Sequence, residues 1–364
     1  MFRSAPVTRT LEAALRDVSS ARADVRAEAV RDLALQEDAA RARVLSALDG
    51  ALRDDQEAAV RAAAAVALAD LKGVEALPGL LLAVEDADAH VRQMAVTALG
   101  EIGDARATGR LRRALDDARP EIRFQAVIAF PRVCAQREEA VEALVRATRD
   151  DDPLVCQIAL RMAEELATSG DDDEAPAEEG PAPIDPALME RARALLEHRS
   201  PLVRSAAAVL LARGGDAGGH PVVVAVATGA LRGADREDEA AAIELCGELG
   251  LEAASGALER RAWSGLLGVG RDPLYWYARV ALARMGHARA TREILQDIRG
   301  RDRHRCTLAV AAAGRARLVA ARDPIAALRG DDRRADQGAV EDALAALEPD
   351  GARRRRSPAS AADG

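Results

Sequence analysis

The sequence contains very few aromatic residues, since Phe, Trp and Tyr together make up 2% of its 364 residues. A compact globular core of this size normally uses more large rings, because aromatic side chains bury large apolar areas. Hydrophobic residues nevertheless make up 49% of the chain and charged residues 30%, so a core can form. This composition favours a stack of small helices that pack through alanine, leucine and valine.

Lysine is almost absent as well. Lys72 is the only lysine among 51 basic residues. Together with the abundance of alanine, this bias indicates a GC-rich and therefore bacterial genome. The formal net charge of -9 argues against a general binder of nucleic acid or of other polyanions.

Motifs for metal binding or covalent catalysis are missing. The four cysteines lie far apart and form no CxxC pair. Cys156, Cys246 and Cys306 fall at or near apolar helix positions, which predicts buried thiols in a reducing compartment, and Cys134 has no partner motif either. The histidines form no HxH, HExxH or Cys/His cluster, and the sequence has neither GxSxG nor a phosphate-binding loop. We therefore predict no metal, no cofactor and no catalytic activity.

The sequence also lacks long apolar runs. None approaches the roughly 20 residues that a transmembrane helix needs, and the first residues contain no apolar region of a signal peptide. We therefore expect a cytoplasmic protein without a membrane partner.

A repeated helical pattern dominates the chain, and Val91 to Leu115 show it most clearly. Apolar residues at x, x+4, x+7, x+8 and x+11 form one stripe of a helix, Gly103 then ends that helix, and a second stripe begins at Leu111. Further copies start at Val60, Ile122, Val155 and Val203, and weaker copies at Val25, Asp238, Leu274 and Asp302.

Neither short helix of a copy can bury its stripe alone, so each copy needs neighbours. The segment from Gly103 to Thr108 also returns almost unchanged from Gly286 to Thr291, which indicates internal homology. We therefore predict an all-α fold: an α-solenoid, wound as a right-handed superhelix, of about eight helix pairs.

Composition divides the chain into four predicted segments. The segment 168–186 is acidic, rich in proline and free of basic residues, which predicts a disordered insertion. It separates repeats in 1–167 from more degenerate repeats in 187–348. The tail, residues 349–364, carries four consecutive arginines and is also predicted to be disordered.

The motif Val-Arg-x-x-Ala-x-x-Ala-Leu-x-x-Ile-Gly-Asp, which starts at Val91, resembles HEAT repeats of the phycobilisome-lyase type. The resemblance covers about residues 20 to 320 and is strong over 55–166. In that family, a turn aspartate and an arginine on the second helix of each repeat form a ladder along the stack. The corresponding pairs in this sequence are Asp55 with Arg61, Asp86 with Arg92, and Asp117 with Arg123.

A physical reason supports such a ladder. A turn carboxylate can accept hydrogen bonds from the exposed amides of a helix start and can pair with the guanidinium of a neighbouring repeat. The pattern then stops, because Cys156 replaces the arginine that would follow Asp150, and His198 replaces the aspartate that would precede Arg204.

The resemblance predicts a binding surface as well as a fold. In a solenoid of helix pairs the second helices form the inner, concave wall. Residues two positions after each stripe start should project onto that wall, and Gln93, Phe124, Gln157 and Trp276 are our candidate contacts for a partner.

These features favour a non-catalytic scaffold or adaptor that binds a protein on its concave face. Two alternatives stay open at this point. The resemblance to lyase-type repeats allows a bilin lyase-like or accessory chromophore-attachment subunit, and other HEAT-like proteins bind nucleic acid.

Overall fold

The computed structural model describes residues 9–36, 40–168, 183–265 and 271–348. Every regular element in these ranges is a helix. The predicted all-α solenoid is therefore confirmed. The predicted insertion, apart from Thr168 and residues 183–186, and the predicted tail lie outside the described residues.

The chain divides into two compact units, residues 1–168 with 184–191 and residues 169–183 with 192–364. In the first unit, five helix pairs follow one another. Their ranges are α1 Leu11–Asp17, α2 Ala23–Ala34, α3 Arg41–Asp54, α4 Ala58–Asp70, α5 Leu77–Ala83, α6 Ala89–Ile102, α7 Thr108–Ala114, α8 Pro120–Val133, α9 Arg137–Ala147 and α10 Pro153–Thr168.

The unit boundary falls inside α11, and the remaining helices belong to the second unit. Their ranges are α11 Pro186–Leu195, α12 Pro201–Arg213, α13 His220–Ala227, α14 Arg236–Glu248, α15 Ser255–Ala262, α16 Tyr275–Arg284, α17 Ala288–Arg299, α18 Arg303–Arg315, α19 Arg322–Ala326 and α20 Gln337–Ala346. None of these twenty described helices is long and apolar enough to cross a bilayer.

The odd-numbered helices are the first helices of the pairs, and the even-numbered helices are the second. In the first unit α2, α4, α6, α8 and α10 pack side by side in that order, and in the second unit α12, α14, α16, α18 and α20 do the same. Within each unit the first helix of a pair also packs on the second, from α1 with α2 to α9 with α10 and from α13 with α14 to α19 with α20. The described residues contain ten pairs, against about eight predicted, and the last pair, α19–α20, has no counterpart among the apolar stripes found in the sequence.

The apolar stripe that organises the sequence pattern faces the core. On α6, Val91, Ala95, Ala98 and Leu99 are all completely buried. The helix ends where predicted, because Gly103 adopts a φ of 73°, in the left-handed region that closes a helix.

Glycines inside second helices let neighbouring helices approach closely. A Cβ atom at Gly100 would lie 2.6 Å from the Cβ of Ala129, on α8. Gly247 and Gly314 meet Ala281 and Ala343 in the same way, with a Cα atom 2.6 Å and 2.9 Å from the added Cβ. Gly314, predicted to follow the end of the last stripe, therefore lies within α18 and serves packing instead.

The close helix packing at Gly100 predicts opposite effects on stability for alanine substitutions at two helical glycines. Gly100→Ala should destabilise the protein by about 1–3 kcal/mol, because the added methyl group overpacks the contact with Ala129. Gly109→Ala is the matched control: a Cβ there meets nothing within 4 Å, so the gain in helix propensity should stabilise by up to about 1 kcal/mol. Urea unfolding followed by circular dichroism measures both, and a shift of the same sign in both variants would contradict this account.

Candidate functional site

Four partly buried ion pairs connect successive helix pairs of the first unit. Arg61 on α4 donates from Nε and Nη2 to the two carboxylate oxygens of Asp86, each at 2.8 Å. Its Nη1 donates to the backbone oxygen of Asp55 at 2.9 Å. The guanidinium therefore fixes the turn of its own pair and the turn of the next pair at once, and we call this unit a rung.

The other three rungs repeat the same geometry. Their Nε–carboxylate distances are 2.6 Å for Arg26 and Asp55, 3.0 Å for Arg92 and Asp117, and 2.7 Å for Arg123 and Asp150. The carboxylate also accepts a backbone N–H two residues later, as Asp117 does from Arg119 at 2.9 Å. The structure thus brings all six predicted ladder residues together, with each arginine bound to the aspartate side chain of the following pair.

Two rung members lie outside the three predicted pairs. Arg26 follows the weak first copy at Val25 and has Ser20 in place of the turn aspartate. Asp150 has no arginine six residues later, but it does receive Arg123 from the preceding pair. A search for arginine and aspartate about 25 to 29 residues apart would have found both.

The rungs shift the acidity of their carboxyl groups. The hydrogen bonds from Arg26 hold the pKa of Asp55 below its ordinary value. For Asp86, Asp117 and Asp150, burial alone would raise the pKa, but the arginine hydrogen bond and the turn amide together lower it below the ordinary value. All four groups therefore favour the ionised form.

After the fourth rung the arginine position is taken by a cysteine. The thiol of Cys156 donates to the backbone oxygen of Thr148 at 3.3 Å. Arg191, which follows the predicted insertion, donates to the hydroxyl and the backbone oxygen of Thr148, each at 3.2 Å. The guanidinium of Arg191, from later in the chain, thus takes the place of the ladder arginine that Cys156 replaces.

The second unit contains the same arrangement. The thiol of Cys306 on α18 donates to the backbone oxygen of Ile298 at 3.2 Å. Arg334 donates to the backbone oxygens of Ile298 and Arg299 at 3.4 and 3.3 Å. Arg334 lies two residues before the N-cap Asp336, the position of the aspartate in a regular rung, so the cation here reaches back from the following pair.

His198 replaces a turn aspartate and makes the hydrogen bond to the turn amide but not the ion pair to an arginine. Its Nδ1 accepts the backbone N–H of Ser200 at 3.1 Å, as a rung carboxylate accepts its turn amide. Arg204 donates to the backbone oxygen of Leu196 at 3.2 Å. Neither contact is an ion pair, which accounts for the interruption seen in the sequence.

The second helices of the first unit leave one surface open. An apolar groove of about 490 Å³ lies along α2, α4 and α6. Leu35 and Val66 line it and are 69% and 42% exposed, which is high for large apolar side chains. The remaining lining residues are Arg31, Ala34, Ala59, Ala62, Ala63, Ala67, Asp70, His90 and Met94.

The four predicted partner contacts occupy less open positions. Gln157 is buried at 5% exposure, and Gln93, Phe124 and Trp276 are half-buried. On these helices the most exposed residues lie one before and ten after the stripe start, such as His90 and Glu101. A helical period of 3.6 residues, counted from the buried stripe, identifies these positions more directly than a fixed offset of two.

Trp276 belongs to an aromatic cluster in the second unit. Four of the seven aromatic residues lie between 263 and 277. Trp263 donates from Nε1 to Glu293 at 2.9 Å, and the guanidinium of Arg289 lies 4.1 Å from the centre of the Trp263 ring. Trp276 itself packs against the buried core of the unit and lies edge-on to Tyr275.

Comparison with known proteins identifies the repeats. Residues 77–165 match the family model of HEAT repeats. This matched segment runs from α5 to α10 and contains the rungs of Arg92 and Arg123. No curated protein matches the sequence.

Solved structures similar to the chain include other helical proteins. The complex of CpcE and CpcF of phycocyanin lyase from Nostoc sp. PCC7120 is 19% identical, with 71% of this chain and 96% of that chain covered and a TM-score of 0.42. YibA of E. coli is 16% identical, with coverages of 76% and 93% and a TM-score of 0.49. Kap121p is 14% identical, with a TM-score of 0.46, and 92% of this chain spans 41% of it.

The ladder makes a prediction that two adjacent aspartates can test. Asp117→Asn should destabilise the protein by about 2 kcal/mol at neutral pH, because Arg92 then loses a partly buried ionic acceptor. Asp116→Asn is the matched control and should change little, because Asp116 is 66% exposed.

The same pair of variants has an expected pH dependence. The pKa of Asp117 is lowered in the folded state, so its contribution is fully present above the ordinary value of 3.8 and is lost as the pH falls further towards the folded pKa. The difference between wild type and Asp117→Asn in urea unfolding should therefore shrink below pH 3.8. A difference that stays constant with pH would contradict the assignment.

Thiol labelling tests the environment of the cysteines. Burial raises the pKa of Cys156 to about 11 and that of Cys246 to about 12, and it also raises the pKa of Cys306. Because the thiolate is the reactive form, Cys134, the one cysteine that is not fully buried, should be labelled first by a disulfide reagent in the folded protein. The other three should react only on unfolding, and fast labelling of any of them without denaturant would contradict their burial.

Proposed function

We propose that the chain is a non-catalytic scaffold that binds a protein partner on the face formed by the second helices of its first unit. The observation that carries the proposal is the open apolar groove along α2, α4 and α6. HEAT repeats commonly mediate protein interactions, and the match to residues 77–165 supports this class of function.

The chemistry of the groove suits an amphipathic helix. Its floor is made mainly of alanine side chains, which leave room for larger apolar side chains of a partner, and Leu35, Val66 and Met94 provide apolar contacts. A partner helix that presents residues at i, i+3, i+4 and i+7 could fill such a groove. Single exposed apolar residues are common on protein surfaces, whereas Leu35 and Val66 share one apolar groove, which supports a binding site there.

The charged residues at the rim of the groove would orient a bound partner. Arg31, Asp70 and His90 border the apolar floor, so the groove carries charges of both signs at its edge. Polar groups at the rim of an interface set the register and the rate of association more than the affinity. Gln93 directly precedes Met94 on α6, and we retain it as a contact at this rim.

The rungs would keep this groove preformed. Arg26 with Asp55 and Arg61 with Asp86 join the three helix pairs that provide its walls. A binding surface that is already ordered loses less conformational entropy on association than a flexible one. The regular first unit is therefore better suited to a fixed groove than a set of independently mobile helices.

Two apolar residues of equal exposure test the proposal. Val66 in the groove and Val74, which precedes α5, are each 42% exposed. Val66→Gln should weaken the binding of a partner protein, and Val74→Gln should leave it unchanged, because only the former removes an apolar contact from the groove.

Partners are first captured from the native cytoplasm with the wild-type chain, identified, purified and then titrated with each variant by calorimetry. Circular dichroism controls for folding. An identified partner that binds both variants equally would move the interface away from the groove. Pigment or nucleic acid as the specific bound molecule would contradict the scaffold function.

A further inference from the structure

The second unit contains a basic region within an acidic chain. Residues 284–334 hold thirteen arginines and six acidic residues, whereas the whole chain has a formal net charge of -9. Most arginines of the first unit form ion pairs or cap backbone carbonyls. Several arginines of this region have no such role.

One exposed face of α17 concentrates these groups. Arg292, Gln296 and Arg299 are exposed and follow one another at intervals of four and three residues, which places them on one side of the helix. With Leu295 and Gly300 they line a shallow cavity of about 410 Å³. The opposite side of α17 is buried through Ala290, Ile294 and Ile298.

The guanidinium groups on this face are available for a ligand. Among the described residues, no carboxylate lies within ion-pair distance of Arg292, Arg299, Arg301 or Arg305. Arg289, one turn earlier on α17, differs, because it is bound to Glu293 at 2.9 Å. Arg303, between Arg301 and Arg305, donates from Nε to the backbone oxygen of Asp332 at 2.8 Å, so the free groups lie on either side of it, at the end of α17 and the start of α18.

The first turn of α18 carries positive charge, where acidic residues are usual. Arg303, His304 and Arg305 are its first three residues, and all are exposed. The N-terminus of a helix has a partial positive charge and favours acidic residues, so cations here reduce helix stability. The helix end itself is occupied, because the N-cap Asp302 accepts the backbone N–H of Arg305 at 2.9 Å, so an external anion would be attracted by the cationic side chains.

We propose that this surface, Arg292, Gln296 and Arg299 with Arg301 to Arg305, binds a carboxylate-rich segment of a partner protein. Asp297 and Asp302 lie among the arginines. They would repel a continuous phosphate backbone, but they leave discrete places where single carboxylates can take bidentate hydrogen bonds from a guanidinium. The site belongs to the second unit and is independent of the groove on the first unit.

A peptide titration tests the proposal on the full chain. The probes are a fluorescein-labelled peptide of twelve glutamates, its counterpart of twelve glutamines, and a labelled oligothymidylate of twelve nucleotides. Fluorescence anisotropy at low salt should show binding of the glutamate peptide and none of the glutamine peptide. Added salt should weaken that binding, because the contacts are exposed charges.

Paired variants locate the site. Arg292→Gln/Arg299→Gln should weaken binding of the glutamate peptide about fivefold, the effect of losing two exposed ion pairs. Arg119→Gln/Arg149→Gln is the matched control, since both residues are exposed and lie in the first unit, and it should leave the affinity unchanged. Carboxylates in segment 169–182 of the chain could compete with the peptide. A second version of the chain therefore has the acidic residues of this segment changed to amides, and the two double variants should have the same effects in it.

Three outcomes would overturn the proposal. The first is an absence of binding to the glutamate peptide in both versions of the chain. The second is equal weakening by the two double variants, which would indicate a general charge effect. The third is binding of the oligothymidylate at least as tight as that of the glutamate peptide and with the same dependence on Arg292 and Arg299, which would assign the surface to nucleic acid.

Discussion

The partly buried contact between an arginine and an aspartate of the next helix pair is the interaction on which the first unit depends. Short helices built from alanine, valine and leucine bury little area each, and a stack of them has few large side chains to fix one layer against the next. A guanidinium that holds two turns through four hydrogen bonds supplies that fixed geometry. Removing one member of such a pair is costly, since the remaining charge would stay partly shielded from water without its partner.

The sequence predicted the architecture well for a physical reason. The stripe of small apolar residues recurs with a constant helical period, and burial of that stripe leaves few alternatives to a stack of pairs. Which aspartate each ladder arginine binds was harder to predict from the sequence. Asp86 and Arg92 are neighbours in sequence, but the side chain of Asp86 is bound by Arg61, because the direction of a long arginine side chain depends on where the next pair is placed.

The binding surfaces were harder to predict than the fold. Gln157 has the same offset from its stripe as Phe124, yet it is buried while Phe124 is half-buried, so a fixed offset does not determine exposure. Glycine positions such as Gly100 set how closely neighbouring helices approach, and composition alone does not show which side of a glycine meets a neighbour. Arg334 illustrates the same limit: its role follows from its place beside Ile298, 36 residues away in sequence.

The direction of the rungs has a consequence for how such a chain can change length. Every rung points the same way, from an arginine to the aspartate of the pair that follows, and Asp55, Asp86 and Asp117 are spaced 31 residues apart. Each internal pair therefore presents the same acceptor to its predecessor and the same donor to its successor. Loss or duplication of one 31-residue module therefore leaves an arginine and an aspartate facing each other at the new junction. The number of repeats can change without substitutions in the neighbouring repeats.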